Sequence, residues 1–385
     1  MSDPLLRWRG EFPILERTTY LVSHSMGAMP RSARNWIERY AREWDERGVV
    51  AWDAWEPYVA EHANRIASLI GAPRGTVGIH QNVSTLFGIL LSGLLAPGGR
   101  TKVVSTDLNF PSLLYVLQRH EDLGLELHLI QSPDGISIPL EAWEEAVDDR
   151  TLAVLVDHGI FRSGFLQDVG AITEIAHRHG AWSIVDAYQT VGCVPVDVGA
   201  WGADAVLGGS HKWLCGGPGA AWMYVRPDRL PELRPRVVGW FSHRDPFAFD
   251  LRMEFAPDAM RFTTGTPGIP ALFAARAGLE IVLEIGVEVI REKSVRLTQR
   301  MIERADELGL RLHSPRDPVQ RGGLVVVDFP GAEQAAQELV RRGILVDYRP
   351  QAGIRLSPHF YTHPDEIQHA FDALREICST RGRSR

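Results

Sequence analysis

The sequence predicts an α/β protein: a mostly parallel seven-stranded sheet with helices on both faces, followed by a smaller α+β unit at the C-terminal end. Three observations predict it. Seven short runs rich in Val, Ile and Leu recur between residues 76 and 225. Stretches with apolar residues at helical spacing separate most of these runs. After Pro270 the pattern changes, and one long helical stretch gives way to two further apolar runs. Continuous β-branched runs alternating with helices indicate parallel strands covered on both faces.

The elements follow in order. Pro30 and Ser32 open a stretch to residue 47 in which Trp36, Ile37, Tyr40 and Trp44 recur every three to four residues, the face of a helix. A second helix spans about 56–70 and stops at Gly71-Ala72-Pro73. Strands are predicted at 76–80, 102–105, 126–130, 152–156, 182–185, 205–207 and 221–225, with helices at 84–95, 111–123, 140–147 and 168–179. The smaller unit reads as one helix over 271–308, a strand at 323–328, a helix at 332–342, a strand at 344–347 and a final helix at 364–380. The basic tail, 381–385, is expected to fray. The expected organisation is an N-terminal segment, 1–48, packing with the small domain, a large domain over 49–270 and a small domain over 271–385.

Composition excludes several classes. With 45% hydrophobic and 23% charged residues the chain reads as globular. A formal charge of −7 argues against nucleic-acid binding, which needs a basic footprint. No apolar run approaches the ~18 residues of a membrane span. The charged start, Asp3, Arg7, Arg9 and Glu11, lacks the apolar stretch of a secretory signal. Cys193, Cys215 and Cys378 show neither C-x-x-C spacing nor a disulfide framework. A reduced, cytoplasmic protein with no metal site is expected.

The most informative residue is Lys212, in Ser210-His211-Lys212-Trp213, just beyond the apolar run Ala205-Val206-Leu207. Upstream, the run Ser183-Ile184-Val185 ends in Asp186. An acid closing one buried strand and a lysine just past another is the arrangement that pyridoxal 5'-phosphate (PLP) chemistry requires. The lysine bonds the cofactor aldehyde, and the carboxylate keeps the pyridine nitrogen protonated so that the ring accepts electrons.

Other residues complete such a site. Val83-Ser84-Thr85 open a helix directly after a strand, where backbone N–H groups and the Ser84 hydroxyl could hold a phosphate; a plain helix cap is the competing reading. Phe110, after a strand, is placed to stack on a pyridine face or to fill core. Gln189 is within reach of the ring's phenolic oxygen, and His211 either contacts phosphate and shuttles protons or is a hydrogen-bonded structural histidine. Arg355, in the apolar context Gly353-Ile354-Arg355-Leu356, needs an anion. Its planar fork suits a substrate carboxylate, with a structural salt bridge as the alternative.

Together these residues resemble the aminotransferase class V group of fold-type-I PLP enzymes, and within it the kynureninase-like branch. The resemblance runs over nearly the whole chain, through Ser25-Met26-Gly27-Ala28-Met29-Pro30, His158 to Gly164 with Asp168, Pro195-Val196-Asp197-Val198, Gly216-Gly217-Pro218-Gly219, Gly239-Trp240 and Gly265-Thr266-Pro267. It implies Lys212 as the Schiff-base lysine and proton shuttle, Asp186 on the pyridine nitrogen, Phe110 on the ring, and Val83 and Ser84 on phosphate. It adds His158 to the cofactor contacts. Trp240 and Thr266 would reach the phosphate from the neighbouring subunit of a homodimer with shared sites. Arg355 and Ser25 would hold the amino-acid substrate.

The departures lie beside the cofactor. Kynureninases usually have His where Gln189 stands, Tyr where His211 stands and Asp where Leu113 stands. Gln189 and His211 look more like cysteine desulfurases and isopenicillin-epimerase-like proteins. No cysteine occurs between Cys215 and Cys378 to serve as a desulfurase nucleophile. The expected reaction is kynureninase-type hydrolysis of a Cβ–Cγ bond releasing alanine. The alternatives are transamination, β-elimination or an epimerase-like reaction, and, more distantly, a non-catalytic PLP-binding relative.

Overall fold

The computed structural model describes residues 3–96 and 98–382. A two-residue strand, β1 (Thr19–Tyr20), precedes seven strands that form one sheet: β2 (Val77–His80), β3 (Lys102–Thr106), β4 (Glu126–Ile130), β5 (Thr151–Asp157), β6 (Trp182–Asp186), β7 (Ala205–Gly209) and β8 (Ala221–Val225). Their order is β2-β8-β7-β6-β5-β3-β4. Both pairings of β8 are antiparallel and all others parallel, so β8 alone runs against the rest. The predicted seven-stranded, mostly parallel sheet is the one observed.

Strand alternation divides the core into two layers. Val154, Val156, Val185 and Val206 face the helices Trp52–Leu69, Val169–Arg178 and Ile269–Ile285. Ala153, Leu155, Ile184 and Leu207 face the helices Val83–Leu94 and Pro111–His120 through Leu86, Leu90, Leu113 and Leu117. β6, β7 and β8 are buried at every residue, whereas the edge strand β4 exposes Glu126 and His128. Unbroken apolar runs are therefore what the central strands require.

A second, four-stranded antiparallel sheet comprises β9 (Arg311–Leu312), β10 (Val325–Asp328), β12 (Asp347–Arg349) and β13 (Gly353–Leu356), in the order β12-β13-β10-β9. Leu297, Met301, Leu339, Phe371 and Leu374 from three helices fill its core. The remaining strand, β11 (Ile344–Leu345), pairs in parallel with β1. Ion pairs Arg9–Glu366 (2.6 Å) and Asp3–Lys293 (2.7 Å) fasten the same N-terminal stretch to the helices Pro364–Gly382 and Val287–Glu307.

Four points depart from expectation. The single helix over 271–308 is two, Ile269–Ile285 and Val287–Glu307. Gly286, at φ +84°, lies between them in a conformation that side-chain-bearing residues rarely adopt. The predicted strand 344–347 splits at Val346, its first half joining β1 and its second opening β12. Gly353–Leu356, which carries Arg355, is a strand that periodicity did not reveal. The last helix extends through Gly382, into the tail expected to fray; residues 383–385 lie outside the described residues. Among the described residues no helix is long and apolar enough to cross a membrane.

Candidate active site

The carboxyl ends of β5 and β6, the segment after β7 and the start of the helix Val83–Leu94 enclose a cavity of about 210 Å³. In parallel sheets side chains converge at this edge because every strand delivers its last residue there. Lys212, Asp186, Phe110, Gln189, His211, Val83 and Ser84, all singled out from the sequence, line it. Lys212 Nζ lies 4.5 Å from the Tyr188 ring centroid and 5.4 Å from that of Phe110. Burial lowers the lysine pKa to about 8, against the opposing pull of the Asp186 charge.

Asp186 ends β6 and accepts a hydrogen bond from the Tyr188 N–H (2.8 Å). Directly across from it, in register, Asp157 ends β5. Asp157 accepts from Asn109 Nδ2 (2.7 Å) and the Phe110 N–H (2.9 Å), which ties the Phe110 loop to the strand end. Burial raises both carboxyl pKa values, that of Asp157 further because the Asp186 charge adds to it. Sequence reading missed Asp157. Its place depends on the pairing of β5 with β6, for which the sequence carries no local signal.

At the other end of the cavity, Asn82 caps the helix: its Oδ1 accepts from the Thr85 N–H and hydroxyl, each at 2.9 Å. The cap is thus Asn82 rather than Ser84, and this leaves the first-turn N–H groups and the Ser84 hydroxyl facing the cavity. Gln189 is 8% exposed, and its Oε1 has no hydrogen-bond partner. An unpartnered buried acceptor is costly. Paired carboxyls, an amine, an aromatic wall, a helix start and a free amide in one small cavity fit PLP end to end. Val83 and Ser84 would hold its phosphate, Phe110 its ring face, Gln189 its phenolic oxygen and Asp186 its ring nitrogen.

Tyr188 is a second residue to which the sequence reading gave no role. Its Oη lies 2.7 Å from His211 Nδ1, and burial followed by the Lys212 charge lowers the histidine pKa to about 4. Burial and the Asp186 charge push the tyrosine up. The pair requires Gly209 beneath it, because a Cβ there would sit 2.1 Å from Tyr188 Oη.

The structure does not bring every expected residue into the cavity. His158 follows Asp157 and therefore points the other way. Its Nδ1 lies 2.9 Å from Thr190 Oγ1, its ring meets Trp201 edge-on, and burial lowers its pKa to about 3. It does not line the cavity. Trp240 Nε1 donates to Thr266 Oγ1 (3.3 Å), and Trp240 borders a separate cavity of about 300 Å³ with Phe249, Leu251 and Met253. Ser25 donates its N–H to Val22 O and lies two residues before Gly27, whose N–H bonds His211 O. Cys215, pushed up to about 12 by burial, is packed against Gly27 and does not line the cavity.

Arg355 is 3% exposed and already carries a carboxylate. Asp347 takes its Nε (2.8 Å) and Nη2 (2.5 Å), and Phe161 O takes its Nη1 (2.9 Å). His24 bridges Asp347 Oδ1 (3.0 Å) and Ser357 Oγ (2.6 Å). Burial alone would raise the Asp347 pKa, but hydrogen bonds from His24 and Arg355 override it and hold the group well below the ordinary carboxylate value. The internal salt bridge, offered as the alternative for Arg355, is present.

Comparison with known proteins adds to this geometry. Residues 51–362 match the family described as aminotransferase class-V. An uncharacterized aminotransferase, YcbU, of Bacillus subtilis (strain 168) is 35% identical, the match covering 96% of both chains. A kynureninase of Pseudomonas fluorescens is 32% identical over 99% of this chain and 94% of its own. Among solved structures, apo cysteine desulfurase from Thermococcus onnurineus NA1 superposes with a TM-score of 0.88 at 24% identity, covering 98% of each chain. A mutant of C-DES with glycine covalently linked to its PLP cofactor gives a TM-score of 0.88 at 22% identity, covering 95% of this chain and 98% of its own. At these identities the two structures establish the shared fold.

Proposed function

This chain belongs to the aminotransferase class-V family, and on that premise we propose that it is a PLP-dependent enzyme hydrolysing the Cβ–Cγ bond of an aryl γ-keto L-amino acid. Water adds its oxygen to Cγ, the Cβ–Cγ bond breaks, Cβ gains a proton, and the products are alanine and an aryl acid. Bound PLP supplies an electron sink that stabilises negative charge developing at Cα. Lys212 takes the Cα proton. With its pKa near 8, a useful fraction is neutral amine at physiological pH.

The observation carrying the hydrolytic reading is the Tyr188–His211 pair, 2.7 Å apart beside Lys212. Hydrolysis needs a second proton donor, for Cβ, besides the lysine that works at Cα. The pair stands where kynureninases usually have Tyr in place of His211. Similarity to kynureninases over almost the full chain supports the same reading. Transamination is favoured by the 35% identical relative and by Leu113, where kynureninases usually carry Asp. Incubation of the holoenzyme with kynurenine or 3-hydroxykynurenine separates the two. Equimolar alanine and aryl acid is the expected result; amino-group exchange with a keto acid, without alanine release, overturns hydrolysis.

The proposal extends to the assembly. The chain divides into the N-terminal segment 1–48, a large domain 49–270 and a small domain 271–385, and works in the cytoplasm. Two copies associate so that Trp240 and Thr266 of each approach the phosphate end of the other's cavity. The exposed Phe249, Leu251 and Met253 beside Trp240 suit burial by a second copy. Arg355 and Ser25 receive the substrate carboxylate once Asp347 gives way.

A further inference from the structure

We infer that Asp157 is a second acid of the cofactor site, a positioning residue that holds the Phe110 wall and shares one proton with Asp186, so that Asp186 stays ionised toward the pyridine nitrogen. The inference rests on the PLP reading and concerns a residue to which that reading gives no part. Three observations carry it.

The first is register. Asp157 and Asp186 are opposite residues of adjacent parallel strands, so their side chains leave the same face about 4.8 Å apart at the backbone. Both line the cavity. The second is burial. Asp157 is 3% exposed and Asp186 6%, and the other charged or titratable groups on the same cavity are Lys212, Tyr188 and His211. His211 is held neutral by burial and Tyr188 by its raised pKa, so one cation faces two acids. Two buried like charges this close do not both ionise without strong compensation; the pair retains a proton. The Lys212 charge is coupled more strongly to Asp186 than to Asp157 and favours ionisation of Asp186, which leaves Asp157 as the holder. The third is the tether. Asn109 Nδ2 and the Phe110 N–H both end on the Asp157 carboxyl, so the residue that stores the proton also fixes the ring wall.

A neutral Asp157 has an isosteric mimic in Asn, which keeps an acceptor for the Phe110 N–H and gives up only the one that takes Asn109 Nδ2. Two measurements on the purified full-length chain test the inference. Titration of the apoprotein with PLP, followed by visible absorbance, should give Asp157→Asn a Kd within about threefold of the parent. Asp157→Ala should be at least about tenfold weaker. An Asn variant as weak as the Ala variant, or an Ala variant as tight as the parent, overturns the inference.

The second measurement is thermal unfolding of the apoproteins between pH 4 and pH 8. An acid whose pKa is raised in the folded state stabilises fully below its unfolded value, near 4, and loses that contribution as pH climbs toward the folded pKa. Asn has no such loss. The Tm of Asp157→Asn minus that of the parent should therefore rise with pH over this range; a flat or falling difference overturns the shared proton. This readout needs no cofactor. Failure of the PLP reading itself would show separately, as a parent protein that forms no borohydride-reducible adduct at Lys212.

Discussion

At the carboxyl edge of the seven-stranded sheet, Lys212 lies over two aromatic rings, and no hydrogen-bond acceptor among the described residues holds its Nζ. Gln189 Oε1 nearby has no partner either. On β13, Arg355 is more deeply buried than the lysine, yet three of its nitrogens are engaged and its anion is an internal one, Asp347. The first cluster has spare bonding capacity and the second is satisfied. Unfilled polar capacity inside a protein is unfavourable unless something arrives to use it. The lysine cavity is therefore built around a group the chain does not supply, whereas the arginine already holds its anion within the chain.

The largest effect should follow from removing the unsatisfied group itself. Lys212→Ala should lower kcat by about 10²–10⁴-fold or more and abolish the borohydride-reducible lysine adduct; a persistent adduct would place the cofactor elsewhere. The same lowered amine pKa predicts that PLP uptake by the apoprotein accelerates as pH rises through about 8. The sign follows from the neutral amine being the nucleophile, and a midpoint near the ordinary lysine value would contradict the burial argument. Tyr188→Phe removes the hydroxyl bonded to His211 while keeping the ring under Lys212. It should lower kcat by about 10²-fold with little change in PLP affinity, as read by absorbance titration.

Smallest in rate, but sharpest for the comparison, is Asp347→Ala. Leaving Arg355 buried without its partner should destabilise the apoprotein by about 3 kcal/mol, measured as a lower Tm or denaturation midpoint. It should at the same time lower the amino-acid KM, by about tenfold for each 1.4 kcal/mol of pairing released, because the substrate carboxylate no longer competes. An increased KM would show that Asp347 orients Arg355 for the substrate instead of standing in its place.

The two clusters were also unequally legible in the sequence. Lys212 and Asp186 are local signals, each an ionisable residue at the end of an apolar run, and the seven runs themselves mark the sheet. Asp157 ends such a run too, but its meaning depends on which strand lies beside it, and pairing order is not local information. Asp347 was hidden because the apolar run before it looked like one strand, whereas the chain changes sheets at Val346. The helix break at Gly286 was missed because apolar periodicity continues across the glycine; only the backbone angle reveals it. His158 was expected beside the cofactor from a resemblance that identified the segment but not the side on which each residue emerges, and it does not line the cavity.

The alternation of sides along β5 constrains how this chain can change over generations. Because β5 delivers Asp157 to one side and the next residue, His158, emerges on the other, a slip of one residue along the strand would exchange an acid for an imidazole or for the apolar Val156. Substitutions within β5 can be sampled one at a time, but an insertion or deletion there rewrites the wall in a single step. Length changes accumulated by descent should therefore fall in the connecting loops, while the span from Thr151 to Asp157 keeps its residue count.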